Sequence, residues 1–176
     1  MVNRKLYTLY EGECEKSVIE WLKLRGFKFG RTYKVVLSDI KKIERSLNII
    51  QRGSIVNIIM DTDTFYKKTF NKERFKSNIF YLIKTEKQVR IITQDKNLEN
   101  ELVRALGLKN EQQLYKHFDA EGKTEYKSKL ANSTTQNLDI KFKFIDLKLF
   151  WNSKTLNLFF VESEIVSLNN TLNDIL

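Results

Sequence analysis

Four short apolar runs alternate with helical stretches over residues 5–107, and this alternation constrains the fold more than any other feature. Residues 5–10, 32–37, 55–60 and 89–93 read as strands. Between and after them, 13–25, 40–51, 71–85 and 97–106 carry apolar residues at helical spacing, as Val18, Ile19, Trp21, Leu22 and Leu24 do in the first. Gly26 and Gly107 stand where the first and last of these helices should stop. A β-α repeat of this kind predicts an α/β fold with a parallel sheet flanked by helices. Ligands of such sheets bind outside the carboxyl ends of the strands.

Two acidic motifs fall at those ends. Lys5-Leu6-Tyr7-Thr8-Leu9-Tyr10 runs into Glu11-Gly12-Glu13-Cys14-Glu15. Ile55-Val56-Asn57-Ile58-Ile59-Met60 runs into Asp61-Thr62-Asp63. Asp61 and Asp63 skip one residue on an extended segment, which puts both carboxylates on one face. Such a pair repels itself unless a cation lies between. Glu11 precedes a glycine suited to a tight strand-to-helix turn, and Glu15 lies four residues further on. Glu13 and Glu15 also suit a helix N-terminus as dipole partners, a role that explains Glu11 poorly. Clustered carboxylates are the hard oxygen donors that Mg²⁺ or Mn²⁺ prefers.

Charge points the same way. The 176 residues hold 31 Lys+Arg against 22 Asp+Glu, a net charge of +9. That surplus favours nucleic acid, DNA or RNA, as the partner. No run reaches the ~20 apolar residues of a membrane span, and no membrane partner is expected. One cysteine, Cys14, rules out an internal disulfide and suits a reducing cytoplasm. The N-terminal residues do not read as a signal peptide. No Walker loop, GxGxxG or nucleophile elbow is present.

Taken in order, apolar strand, Glu-Gly, helix, then apolar strand and Asp-x-Asp resemble the TOPRIM (topoisomerase–primase) domain. Tyr10-Glu11-Gly12-Glu13-Cys14-Glu15-Lys16 is most similar to the opening of the OLD-nuclease and RloB-like branch. Thr93-Gln94-Asp95-Lys96-Asn97-Leu98-Glu99 could supply that branch's later acid, Glu99, although it lacks the small and proline residues often found there. The resemblance covers about residues 5–107. It implies a TOPRIM-like catalytic domain over 1–110 and a C-terminal extension over 111–176. It further implies metal-dependent cleavage of phosphodiester bonds. Asp61 and Asp63 would then be metal ligands, Glu11 a ligand or general base, and Glu15 and Glu99 ligands at a second metal position. The branch also implies a role in prokaryotic defence against phage or mobile elements. The chain shows no ATPase motif, so an ATPase would be a separate protein partner. Two other readings stay open: a ribosomal RNA maturase-type TOPRIM ribonuclease, and a catalytically inactive module that binds nucleic acid or a partner.

A lysine near the acids would steady a phosphate in transit. Lys123, Lys127 and Lys129 are the candidates, and Lys127 is taken as the catalytic one. Their plain alternative is a solvated basic loop within the polar stretch 119–137. His117 has no partner histidine for zinc and reads as structural. Cys14, between two acids, should have a raised pKa and little nucleophilicity. Trp21 is expected in the core. Trp151 and the neighbouring aromatics are expected to form a second small core, with base stacking as the alternative. Residues 111–118 read as a helix and 162–176 as a closing helix. Between them, Ile140, Phe142 and Phe144 alternate like a strand, while Phe144, Leu147 and Trp151 fit a helix.

Overall fold

The computed structural model describes residues 4–38, 49–63, 71–85 and 88–151. The expected helix over 40–51, apart from its last three residues, and the closing helix over 162–176 lie outside the described residues. Within them the protein is α/β. Four parallel strands, β1 (Leu6–Tyr10), β2 (Arg31–Lys34), β3 (Ile55–Asp61) and β4 (Gln88–Gln94), form one sheet in the order β2-β1-β3-β4. Six described helices flank it: α1 (Glu13–Leu24), α2 (Lys72–Lys84), α3 (Leu98–Ala105), α4 (Glu111–His117), α5 (Lys123–Ala131) and α6 (Thr135–Lys141).

The strand order turns around between β1 and β3. From β1 the chain crosses outward through α1 to β2; from β3 it crosses the other way through α2 to β4. Right-handed crossovers in opposite directions put their helices on opposite faces. Strand alternation then divides the core. Tyr7, Leu9, Val56, Ile58, Met60, Val89 and Ile91 pack on the α2 side with Phe75, Ile79 and Leu82. Tyr10, Ile59 and Ile92 pack on the α1 side with Val18, Ile19, Trp21 and Leu22. Asp61 is two residues beyond Ile59, and Gln94 two beyond Ile92. Both therefore belong to the α1 face.

Helix ends follow the sequence. After α1, Phe27 N–H donates to Leu22 O and Gly26 N–H to Lys23 O, with Gly26 at φ 93°. Leu108 and Gly107 close α3 in the same way on Val103 and Arg104. These are Schellman stops, and glycine suits the left-handed position they require.

After Gly107, α4 forms where a helix over 111–118 is expected, and the chain beyond it departs from expectation in part. The polar stretch 119–137 is part loop, at 119–122 and 132–134, and otherwise helical. In α5, Tyr126 and Leu130, one turn apart, are buried while the remaining face is polar. Neither the strand nor the helix expected around 140–151 forms. Instead α6 ends at Lys141, burying Leu138 and Phe142, while Ile140 and Phe144 are exposed. The chain from 142 to 151 is irregular and mostly turn. Trp151 and Phe150 are fully buried, in the same cluster as Trp21, Phe29, Tyr126 and Phe142. Among the described residues, Phe142, Phe150 and Trp151 thus belong to one continuous α1-side core rather than a separate second core, while Phe159 and Phe160 lie outside them. No described helix is long and apolar enough to cross a membrane.

Candidate metal centre

The turn-around between β1 and β3 leaves a crevice at the carboxyl ends of the strands, where ligands of open α/β sheets sit. A cleft of about 270 Å³ opens there. Its wall includes Cys14, Glu15, Asp61, Leu98, Glu99 and Lys127. Those residues come from α1, β3, α3 and α5. Glu11 follows β1, the strand hydrogen-bonded to β3. Asp63 follows Asp61 by two residues. Burial first, then the charges of Glu15, Asp63, Glu11 and Glu99, push the Asp61 carboxyl up to about 8. Three of the five expected acids, Glu15, Asp61 and Glu99, line the cleft, and the charges of Glu11 and Asp63 reach Asp61 from outside its wall.

Each acid is held by local structure. Gly12 caps α1, and Glu15 is the third residue of the helix. The Glu15 carboxylate turns back to the backbone N–H groups of Glu15 and Gly12, the acidic half of a capping box. A Cβ on Gly12 would run into Glu15 Oε2. Glu15 is 8% exposed, and burial raises its pKa, with Glu99 adding to the rise and Lys127 opposing it.

The β3 and β4 ends are tied to each other. Thr62 Oγ1 donates to Gln94 O at 2.8 Å and accepts from Lys96 N–H at 2.8 Å. Asp63 N–H donates to Lys96 O at 2.9 Å. Lys96 takes a left-handed conformation, φ 61°, that turns the chain back. Asn97 then caps α3 by accepting from Asn100 N–H, which sets Glu99 in the first turn. Glu99 is 4% exposed.

Lys127 reaches Glu99 Oε1 at 3.2 Å, its side chain half exposed. Burial works against its charge, but Glu99, Cys14 and Glu15 together hold its pKa above the ordinary lysine value. The other two candidates lie elsewhere. Lys123 pairs with Glu111 at 3.8 Å, and Lys129 with Glu125 and the Asp119 carbonyl. Helix α5 is moored to α1 by Ser17 Oγ donating to Ala131 O at 2.9 Å and by Cys14 Sγ near Lys127 O. Burial, then Glu15, pushes the Cys14 thiol up to about 12, so it is no thiolate nucleophile. His117 contacts the Lys141 carbonyl.

Three contributors were not legible in the sequence. Gln94 pairs with Asp61 in the sheet register. It is fully buried, and neither amide atom has a hydrogen-bond partner among the described residues. Tyr126 is buried beneath the acids, and burial, then Glu99, raises its pKa well above the usual value. Glu101 is fully buried. It accepts from Asp95 N–H, Arg104 and Trp151 N–H, joining the β4–α3 loop to the end of the described chain. Only their folded neighbours give these three their roles.

The donor set fits a hard divalent ion: carboxylates surround the cleft, and a buried amide with unused donors and acceptor lies beside Asp61. Among the described residues, however, no three Asp, Glu, His or Cys side chains stand close enough to hold an ion as they are. Metal-free carboxylates repel, and here Lys127 pairs with one of them, Glu99. A second cleft of about 400 Å³ lies around Phe118, Asp119 and Ile140, but its two lysines, Lys129 and Lys141, are both engaged with Asp119. Comparison with protein-family models, with curated proteins and with solved structures found no match.

Proposed function

We propose that this protein is a Mg²⁺- or Mn²⁺-dependent nuclease of TOPRIM type, cleaving phosphodiester bonds in DNA or RNA. One observation carries the reading: Glu15, Asp61 and Glu99 line one cleft at the turn-around of a parallel sheet, with a lysine at its wall. The order Glu-Gly, helix, Asp-x-Asp and the net charge of +9 support it.

Asp61, Glu15 and Glu99 would hold the ion, with Asp63 and Glu11 close enough to complete its charge balance. Such an ion, when bound, supplies Lewis-acid polarisation of a phosphoryl oxygen and a more acidic water. The chain's residues do the rest. Lys127, half exposed, presents an ammonium to an incoming phosphate. Leu98 and Ala131 form a dry part of the wall, which strengthens every charge interaction inside. Glu11, following the β1 edge of the crevice, is the candidate base for the attacking water.

The test is cleavage of plasmid and single-stranded substrates with Mg²⁺ or Mn²⁺, comparing wild type with Asp61→Asn. Loss of about 100-fold or more in the variant is expected, and equal rates overturn the reading. A binding module without turnover is the second reading. It draws on the closed Glu99–Lys127 pair, which occupies one of the acids. Nucleic-acid binding that survives EDTA and Asp61→Asn, without cleavage by wild type, would favour it.

A further inference from the structure

Lys127 is the single cationic residue in the described wall of a cleft whose other charged residues, Glu13, Glu15, Asp61 and Glu99, are all acids. Its pairing is asymmetric. The Glu99 side chain is 5% exposed, whereas that of Lys127 is 51% exposed. The Lys127 backbone is fixed, with Cys14 Sγ at 3.5 Å from its carbonyl and the end of α5 bonded to Ser17. Only its flexible four-carbon stem can move, and the open direction is outward. Gln94 does not line the cleft, but it is in register with the cleft residue Asp61 on the same sheet face. Its fully buried amide, with both ends unbonded among the described residues, is a second and independent sign of a ligand there, being costly unless one reaches it.

The geometry points to Lys127 as a built-in stand-in for the divalent ion: it neutralises Glu99 while the cleft is empty, and metal loading displaces it outward to grip a phosphate of the nucleic acid. This rests on the nuclease reading and adds an order of events to it. An ammonium and a divalent ion both gain from Glu99, and the two cations repel at this range, so they compete for it. Released, the ammonium at the end of its stem becomes the nearest cation to the cleft mouth. Metal binding and phosphate binding are then coupled through one side chain, and linkage requires each to strengthen the other. Without metal, the lysine stays on Glu99 and the cleft repels the backbone of the nucleic acid.

The test uses the whole chain, as wild type, Lys127→Met and Lys127→Arg. Mn²⁺ affinity is measured by calorimetry. Binding of a single-stranded oligonucleotide is measured by fluorescence anisotropy in Ca²⁺ and in EDTA. Met keeps the stem and removes the charge; circular dichroism checks its fold. Lys127→Met is expected to bind Mn²⁺ roughly 5- to 100-fold more tightly and to lose the gain in oligonucleotide affinity that Ca²⁺ gives wild type. Lys127→Arg, which keeps the charge, is expected to behave like wild type in both. Mn²⁺ affinity in Lys127→Met equal to or weaker than wild type overturns the displacement, and so does an undiminished Ca²⁺ gain. If wild type binds Mn²⁺ and Asp61→Asn abolishes that binding, such a result sinks the displacement alone. If wild type binds no Mn²⁺ at all, the metal-centre reading falls with it.

Discussion

Asp61 and Gln94 face each other across the last rung of the β3–β4 ladder, one a carboxyl raised to about 8, the other a buried amide with no bonded partner among the described residues. The strand ends are locked around them by Thr62, which bonds to both Gln94 O and Lys96 N–H. A neutral amide beside a metal-binding carboxylate commonly orients the ligand or its water.

Gln94→Leu should therefore have opposite effects with and without metal. In EDTA the variant should melt at the wild-type temperature or a few degrees above, because a desolvated, unbonded amide is removed. Its Mn²⁺ affinity should fall roughly 10- to 100-fold. Thermal melts across a Mn²⁺ series read both. A variant less stable in EDTA with unchanged Mn²⁺ affinity would assign Gln94 to packing alone.

The pH dependence of stability follows from Asp61. Its ordinary pKa is 3.8 and its folded value about 8. The folded state therefore binds the proton more tightly than the unfolded chain between those values. The contribution is fully present below about pH 4 and is lost as pH rises through about 8. Metal-free protein should thus lose stability from pH 5 to pH 8, and Asp61→Asn should flatten that slope. Saturating Mn²⁺ should flatten it too, since the ion stabilises the charged form. Equal slopes in wild type and variant, by denaturant unfolding at each pH, would remove the basis for a strained carboxyl.

Glu101 should matter for stability more than any cleft acid. It is fully buried and satisfies Asp95 N–H and Trp151 N–H while pairing with Arg104 at 2.6 Å. Burial still raises its pKa against those three bonds. Glu101→Ala strands two backbone donors, while Arg104 keeps Asp95 and the Leu149 carbonyl, and should cost about 2–4 kcal/mol. Urea unfolding measures it, and a loss below ~1 kcal/mol would contradict the network.

Gly12→Ala tests the placement of Glu15. The backbone at Gly12 is extended and accepts alanine, but the methyl would meet the end of the Glu15 side chain. A flexible carboxylate can move, so the stability change should stay under ~1 kcal/mol. The displaced carboxylate should weaken Mn²⁺ binding. Calorimetry showing wild-type affinity would mean Glu15 serves only as the cap of α1.

The sheet and its first helices were readable because each signal was local. The apolar runs at 55–60 and 89–93 are short and bounded, and Gly26 and Gly107 mark real stops. The acids at 11, 61 and 63 could be named from strand ends and Glu15 from its helical spacing, whereas Glu99 came only from the TOPRIM resemblance. Choosing Lys127 over Lys123 and Lys129 was a matter of helix phase. In α5 only Tyr126 and Leu130 anchor the buried face, too few to reveal that phase in a lysine-rich stretch. Gln94 was invisible because its meaning depends on standing beside Asp61, a register that no spacing encodes. The alternation at 140–144 misled because Phe142 is buried from a helix end, leaving Ile140 and Phe144 in solvent.

The mooring of α5 to α1 joins Ser17 with Ala131 and Cys14 with Lys127. During synthesis the acids at the strand ends emerge first, and the helix that supplies the lysine emerges last of the cleft's parts. A domain folds as a unit, and the core beneath the cleft joins α1 to residues as late as Trp151. A nascent chain stopped before residue 123 would lack the ammonium that pairs with Glu99, so a finished cleft reports that translation has passed α5.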